Sequence, residues 1–275
     1  MAGFKIGWFS TGRDKAARDL LDTVYNDIKE GTIPQSEISF VFCNREEKEA
    51  EESDHFIKEV KGRKIPLISF SSTKFKLPLG KEGKFQEWRL AYDQEVMKLI
   101  KDYPCDLIVL AGYMLVVGEE MCQKYPMINL HPARPGGPKG SWQEVIWQLI
   151  KRRSSETGAM MHLVTPELDE GPPVTYCVFK IKNGVFSSQW EEIEKMERDY
   201  PGFLEKGVKA VENTSLFHLI REKGLIREFP LISYTLKVFA EGRVKIEDNK
   251  IVDSEGKLLE EGYDLTEMIN EKVGG

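Results

Sequence analysis

Three side chains in this 275-residue chain have the types and spacing that suit chemistry at an acyl carbon. In "MINLHPARPGG", from Met127 to Gly137, Asn129 and His131 stand two apart. In a strand, residues two apart share a face, so these two point one way while Ile128 and Leu130 point the other. Pro132 and Pro135 cannot continue a central ladder, which ends the strand there and leaves the pair at its carboxyl end. Further on, "TPELDEG" follows an apolar run and sets Asp169 before Gly171, in a turn that can bring the carboxylate beside His131. A histidine works as general acid or base near neutral pH, and an asparagine amide can donate to a developing oxyanion. A neighbouring carboxylate raises the imidazole pKa and holds the ring's orientation. Together the three suit acyl or formyl transfer through a tetrahedral intermediate. Taken alone, Asn-x-His reads more simply as a loop-capping pair. His162, inside "AMMHLV", reads as a structural histidine of an apolar strand. The four histidines, His55, His131, His162 and His218, form no paired ligand motif, so no metal is expected.

The elements that must hold these groups follow from the hydrophobic pattern. The first half alternates apolar runs with charged, helix-like stretches, the βαβ pattern of a doubly wound, mostly parallel α/β sheet related to the Rossmann fold. The runs "FKIGWFS" (4–10), "ISFVFC" (38–43), "KIPLISF" (64–70), "CDLIVLAG" (105–112) and "MINLH" (127–131) read as strands. "TGAMMHLVT" (157–165) and "PVTYCVFKI" (173–181) read as two more. Helices are expected over about 14–29, 84–102, 141–151 and 188–212, and the acidic run "REEKEAEESDHFIKEVK" reads as a solvated helix face. In open parallel sheets ligands bind beyond the carboxyl ends of the strands, which is where Asn129 and His131 fall. Residues 1–203 are expected to form the catalytic domain and 204–275 an α+β extension of unassigned role, with a hairpin in "GRVKIEDNKIVDSEGK". "LFHLI" and "FPLISYTLKVF" carry more apolar side chains than a solvated tail needs, so the extension either packs on the first domain or pairs two copies into a homodimer.

Composition narrows the partners. At 41% hydrophobic and 31% charged residues, with no apolar run of about 18 residues, no membrane span is expected. The amino terminus enters a strand almost at once, without the charged head and apolar core of a secretory signal, so the cytoplasm is the expected compartment. The four cysteines are scattered singly and read as reduced and mostly buried. A net charge of −6 disfavours general nucleic-acid binding. At the first strand's end, "STGRDKAA" leads into a helix whose N-terminal amides favour a phosphate. Gly12 there is neither part of GxGxxG nor of a Walker sequence, Arg13 can supply charge, and Asp14 opposes it.

"INLHP" with "TPELDEGP" resembles the Asn-x-His-Pro and Asp-x-Gly loops of the formyltransferases that use 10-formyltetrahydrofolate, over roughly residues 3–202. "RLAYDQEV" and "DLIVLAGYM" are similar to the branch that formylates glycinamide ribonucleotide in purine synthesis. The resemblance implies His131 as general acid/base, Asn129 as oxyanion donor and Asp169 as the group that orients His131. It implies 10-formyltetrahydrofolate as co-substrate, in a pocket lined by Leu110, Met114, Val117, Val164 and Leu168. For the amine substrate it implies contacts from Arg89, from Gly12, Arg13 and Asp14 where the family binds ribose phosphate, and from Glu197, in "MERDYP". Two departures from the pattern concern the acceptor: "STGRDK" stands for the family's Ser-Gly-x-Gly-Ser-Asn, and "ARPGGP" follows His-Pro, bringing Arg134 near the site. They leave open another amine, such as an amino sugar, hydrolysis of the formyl folate, or a folate or nucleotide sensor without turnover.

Overall fold

The computed structural model describes residues 3–76, 85–167 and 169–274. The chain runs β1 (Phe4–Ser10), α1 (Lys15–Lys29), β2 (Ser36–Cys43), α2 (Glu51–Gly62), β3 (Leu67–Ser69), α3 (Phe85–Ile100), β4 (Leu107–Leu110), α4 (Glu119–Lys124) and β5 (Met127–His131). It continues through α5 (Trp142–Lys151), β6 (Glu156–Leu163), β7 (Pro173–Lys180), α6 (Ser187–Asp199), α7 (Val208–Val211) and α8 (Ser215–Ala240). It ends with β8 (Val244–Glu247), β9 (Lys250–Asp253), β10 (Tyr263–Asp264) and α9 (Thr266–Val273). Among the described residues, eight strands form one sheet in the order β10-β7-β6-β5-β4-β1-β2-β3, and β8 pairs with β9 separately. From β3 to β5 every pairing is parallel, β6 runs antiparallel to both β5 and β7, and β10 lies parallel to β7.

Alternation along the strands divides the core into two faces. In β1, Trp8 joins the cluster under α1 and α2, while Phe9 joins Tyr92, Val96 and Ile100 of α3 on the opposite face. The sheet is therefore covered on both sides, as its near-continuous apolar strands require. Chain order reverses across the neighbours β1 and β4, whose loops leave the sheet at the same edge as the end of β5. That edge is the crevice where such folds bind ligands.

Residues 204–274 are built into the same body. Leu231, Ile232 and Leu236 of α8 and Ile269 of α9 share the core cluster of Ile6, Trp8 and Val41, and β10 extends the sheet itself. The helix expected over 188–212 stops at Asp199 instead. Pro201 disfavours helical backbone at Tyr200, and Gly202 turns left-handed with φ 77°, so the chain reverses before α7. All four cysteines are free thiols, with Cys43 and Cys177 buried. Among the described residues no helix is long and apolar enough to cross a membrane.

Candidate active site

Asn129 and His131 occupy the last turns of the pleat in β5, and Asn129 lies directly opposite His162 of β6. Opposed residues in an antiparallel pair share a face, so this register brings His162 to the site. The β6–β7 loop then returns Asp169 over the same face. Asp169 takes the left-handed conformation, with φ 54°. A Cβ at Gly171 would stand 1.7 Å from the Leu163 carbonyl oxygen, so the loop closes only with glycine there. The Asp169 carboxylate consequently sits between two imidazoles, 3.6 Å from His131 Nδ1 and 3.5 Å from His162 Nε2.

Hydrogen bonds fix the tautomers. His131 Nε2 lies 2.9 Å from the Pro138 carbonyl, which can only accept, so Nε2 carries the proton and Nδ1 is the basic nitrogen facing Asp169. His162 Nδ1 donates in the same way to the Leu163 carbonyl at 3.0 Å, leaving Nε2 to accept from the Asn129 amide at 3.1 Å. One amide hydrogen of Asn129 is thereby used for orientation and the second remains for a ligand. His162 read as structural in the sequence; it sets the direction of the Asn129 donor. The Nε2 lone pair that a metal would need on His162 is engaged by Asn129, and among the described residues no group of three His, Cys, Asp or Glu side chains converges on a metal site.

Burial sets the resting charge state. His131 is 3% exposed. Loss of solvent pushes its pKa below the ordinary histidine value, against the upward pull of the Pro138 carbonyl and Asp169. Burial alone would raise the Asp169 carboxyl, but the attraction of either imidazole once protonated and the Gly140 backbone amide outweigh it, so it lies below the usual value. The pair rests as neutral imidazole beside carboxylate, a general base rather than a preformed acid. We expect kcat/KM for amine acceptance to hold constant down to about pH 6.5 and to fall below it, as His131 gains a proton. In Asp169→Asn the fall should move to still lower pH, because the carboxylate no longer favours the imidazolium. An acid limb that follows the pKa of the amine when acceptors are exchanged would assign it to the substrate instead.

Two cavities meet at Asn129 and Asp169. The larger, about 390 Å³, is lined by Arg13, Asp14 and Leu20 of the α1 end, by residues 112–116 after β4, by His131, by Trp142, and by Arg221 and Glu228 of α8. The smaller, about 50 Å³, is lined by Leu110, Val117, Val164, Tyr113 and His162. Of the residues expected to line the folate pocket, Leu110, Val117 and Val164 border the smaller cavity, and Met114, 50% exposed, borders the larger. Leu168 lies outside the described residues.

The acceptor residues expected from the sequence divide. Arg13 and Asp14 line the larger cavity. Asp14 Oδ1 caps α1 by accepting from the Ala17 amide at 2.9 Å, and Oδ2 lies 3.4 Å from Arg13 Nε. Gly12 adopts φ 62° beside Phe56, where a Cβ would come within 2.7 Å of that ring, so this turn admits only glycine. Arg89 borders neither cavity: it is 4% exposed and locked to Asp93 one helical turn on, in the core between α3 and the loop at Gly118. Glu197 is also displaced, because α6 points it at Arg153, away from both cavities. Arg134 pairs with Glu156 at 3.6 Å and borders neither cavity. A glutamate that does border the larger cavity is Glu228 of α8, with its carboxylate on Arg221 at 2.8 Å and Arg221 lying 4.7 Å over the Trp142 ring. Burial raises the Glu228 pKa, and Asp14 adds to the shift, so the two acids face the same space.

A family model described as Formyl transferase matches residues 14–196. Phosphoribosylglycinamide formyltransferase of Saccharomyces cerevisiae is 26% identical over 131 residues, 45% of this chain and 61% of that protein, so the match spans about three fifths of the relative's length. Formyltetrahydrofolate deformylase of Synechocystis is 31% identical over 112 residues, 39% of this chain and 36% of that protein. The solved structure of phosphoribosylglycinamide formyltransferase from Coxiella burnetii, 21% identical, has the same fold with a TM-score of 0.68, covering 95% of this chain and 99% of that one.

Proposed function

Because this chain belongs to the formyl transferase family, we propose that it moves a formyl group from 10-formyltetrahydrofolate to a primary amine, with glycinamide ribonucleotide as the first acceptor to consider. The observation that carries this reading is the convergence of Asn129, His131 and Asp169 where two cavities meet. The amine nitrogen attacks the formyl carbon, and the free amide hydrogen of Asn129 faces the oxyanion that forms. His131 Nδ1 takes the proton from the attacking nitrogen, and Asp169 stabilises the imidazolium. The bond from carbon to N10 breaks as that proton passes to N10, releasing tetrahydrofolate and the formylated amine. The apolar residues 110–117 and Val164 provide the folate side. A bicyclic ring needs several hundred Å³, so it exceeds the smaller cavity and draws on the space where the two cavities meet.

The names of the relatives favour glycinamide ribonucleotide, and the order Asn129, His131, Asp169 suits any primary amine. A second reading, an acceptor without phosphate, is favoured by one observation: in the larger cavity Arg13 and Arg221 are each already paired with an acid, Asp14 and Glu228. The substitution Asp14→Asn separates the two, since asparagine also caps a helix but carries no charge. With glycinamide ribonucleotide as acceptor, affinity should be tight in the wild type and move by no more than about threefold in the variant. A gain of about tenfold or more in affinity for phosphate-bearing amines, equivalent to roughly 1.4 kcal/mol, would favour the phosphate-free acceptor. The reaction class itself is tested by following tetrahydrofolate release with and without amine. Acceptor-dependent release supports transfer. Release with formate at the same rate in every case would make the protein a hydrolase.

A further inference from the structure

Arg227, one residue before Glu228 on α8, is a buried cation without a carboxylate. It is 3% exposed, with its guanidinium 4.3 Å over the Phe179 ring. Its Nε donates to Asn270 Oδ1 at 3.1 Å and its Nη1 to the Lys223 carbonyl at 2.8 Å, while Nη2 has no acceptor among the described residues. The acids nearby are committed elsewhere: Glu228 to Arg221, Glu222 to Lys223 and Glu156 to Arg134. Desolvation lowers the Arg227 pKa, as expected of a charge removed from water without an anionic partner. Buried charges persist in proteins when paired, so this one is poised for a partner from outside the chain.

Space for that partner is present. A cavity of about 550 Å³ is bordered by Arg227, Lys223 and Lys180, by Asn270, by Phe179 and Phe186, and by Glu156, whose carboxylate is paired with Arg134. It shares no residue with the reaction cavity. Lys180 is exposed at the rim and makes no ion pair among the described residues. The phenylalanines give one wall an apolar surface.

We infer that this cavity is a second ligand site, for a small organic anion whose carboxylate or phosphate meets Arg227 and whose body lies on Phe179 and Phe186. The charge needed at Arg227 sets the head group, since guanidinium pairs strongly with both anions. The inference stands apart from the choice of formyl acceptor, because no residue of the reaction site takes part.

Calorimetric titration of the full chain with benzoate and with inorganic phosphate tests it. At least one probe should bind the wild type with a Kd on the order of millimolar, and the stronger of the two names the head group. Arg227→Gln should weaken that binding by about tenfold or more, and Lys223→Gln by severalfold, with the fold of each checked by circular dichroism. If Arg227→Gln does not fold, Lys223→Gln at the rim decides the matter. Absence of binding by both probes, or binding of equal strength in the variants, would overturn the assignment.

Discussion

His131→Ala and Asp169→Asn should each lower kcat by about 100-fold or more while leaving the fold intact. In the first, the attacking amine loses the base at Nδ1. In the second, the imidazolium loses the carboxylate 3.6 Å away, and His162 loses its neighbour as well. His131 is buried at the end of β5, Asp169 lies on the loop that returns over it with its side chain 8% exposed, and neither holds a core cluster together, so thermal stability should change far less than turnover. Because the two act on one proton, the double variant should be little worse than the poorer single one. Multiplying effects would separate their roles. Circular dichroism and stopped-flow turnover on the three variants decide between these outcomes, and near-normal kcat in either single variant would remove the proton-transfer scheme.

Arg89→Met should have the opposite signature. The sequence resemblance makes Arg89 a substrate contact, whereas the fold buries it against Asp93 and stacks it beside Tyr92, 5.1 Å from that ring. Removing the arginine leaves a buried carboxylate whose pKa burial already raises, with the Gly118 amide at 2.7 Å as its remaining donor. Breaking such a pair costs about 3–5 kcal/mol. Chemical denaturation should show a loss of that size, and the KM of the folded fraction should stay near the wild-type value. A stable variant with a much higher KM would return Arg89 to the substrate.

Much of this was legible because the sheet's periodicity is strong. In "MINLH" the two polar residues stand two apart and the prolines after it end the strand, so the strand and the shared face of Asn129 and His131 followed directly. The Asp-x-Gly turn was legible for the same kind of reason: Gly171 has no space for a Cβ. The long helix α8 was not. It is buried on most sides and contains Pro230, so it lacks the polar face that gives a surface helix its period, and its apolar pieces read as fragments. With α8 unread, Arg221 and Glu228 had no element to carry them to the cavity. His162 is the buried, hydrogen-bonded histidine that its apolar neighbours suggest, but they do not show that its partner is Asn129. Only the β5–β6 register, a long-range fact, sets it opposite Asn129.

Donor labelled with ¹³C in the formyl group gives the most direct test of formyl transfer at this site. The labelled folate is mixed with the protein and glycinamide ribonucleotide, and the carbon is followed by NMR and mass spectrometry. The label should leave the folate and appear as a formamide carbon on the acceptor amine, at a rate lowered about 100-fold in His131→Ala. Label recovered wholly as formate, or still on the folate with this acceptor and with a panel of other primary amines, would contradict it.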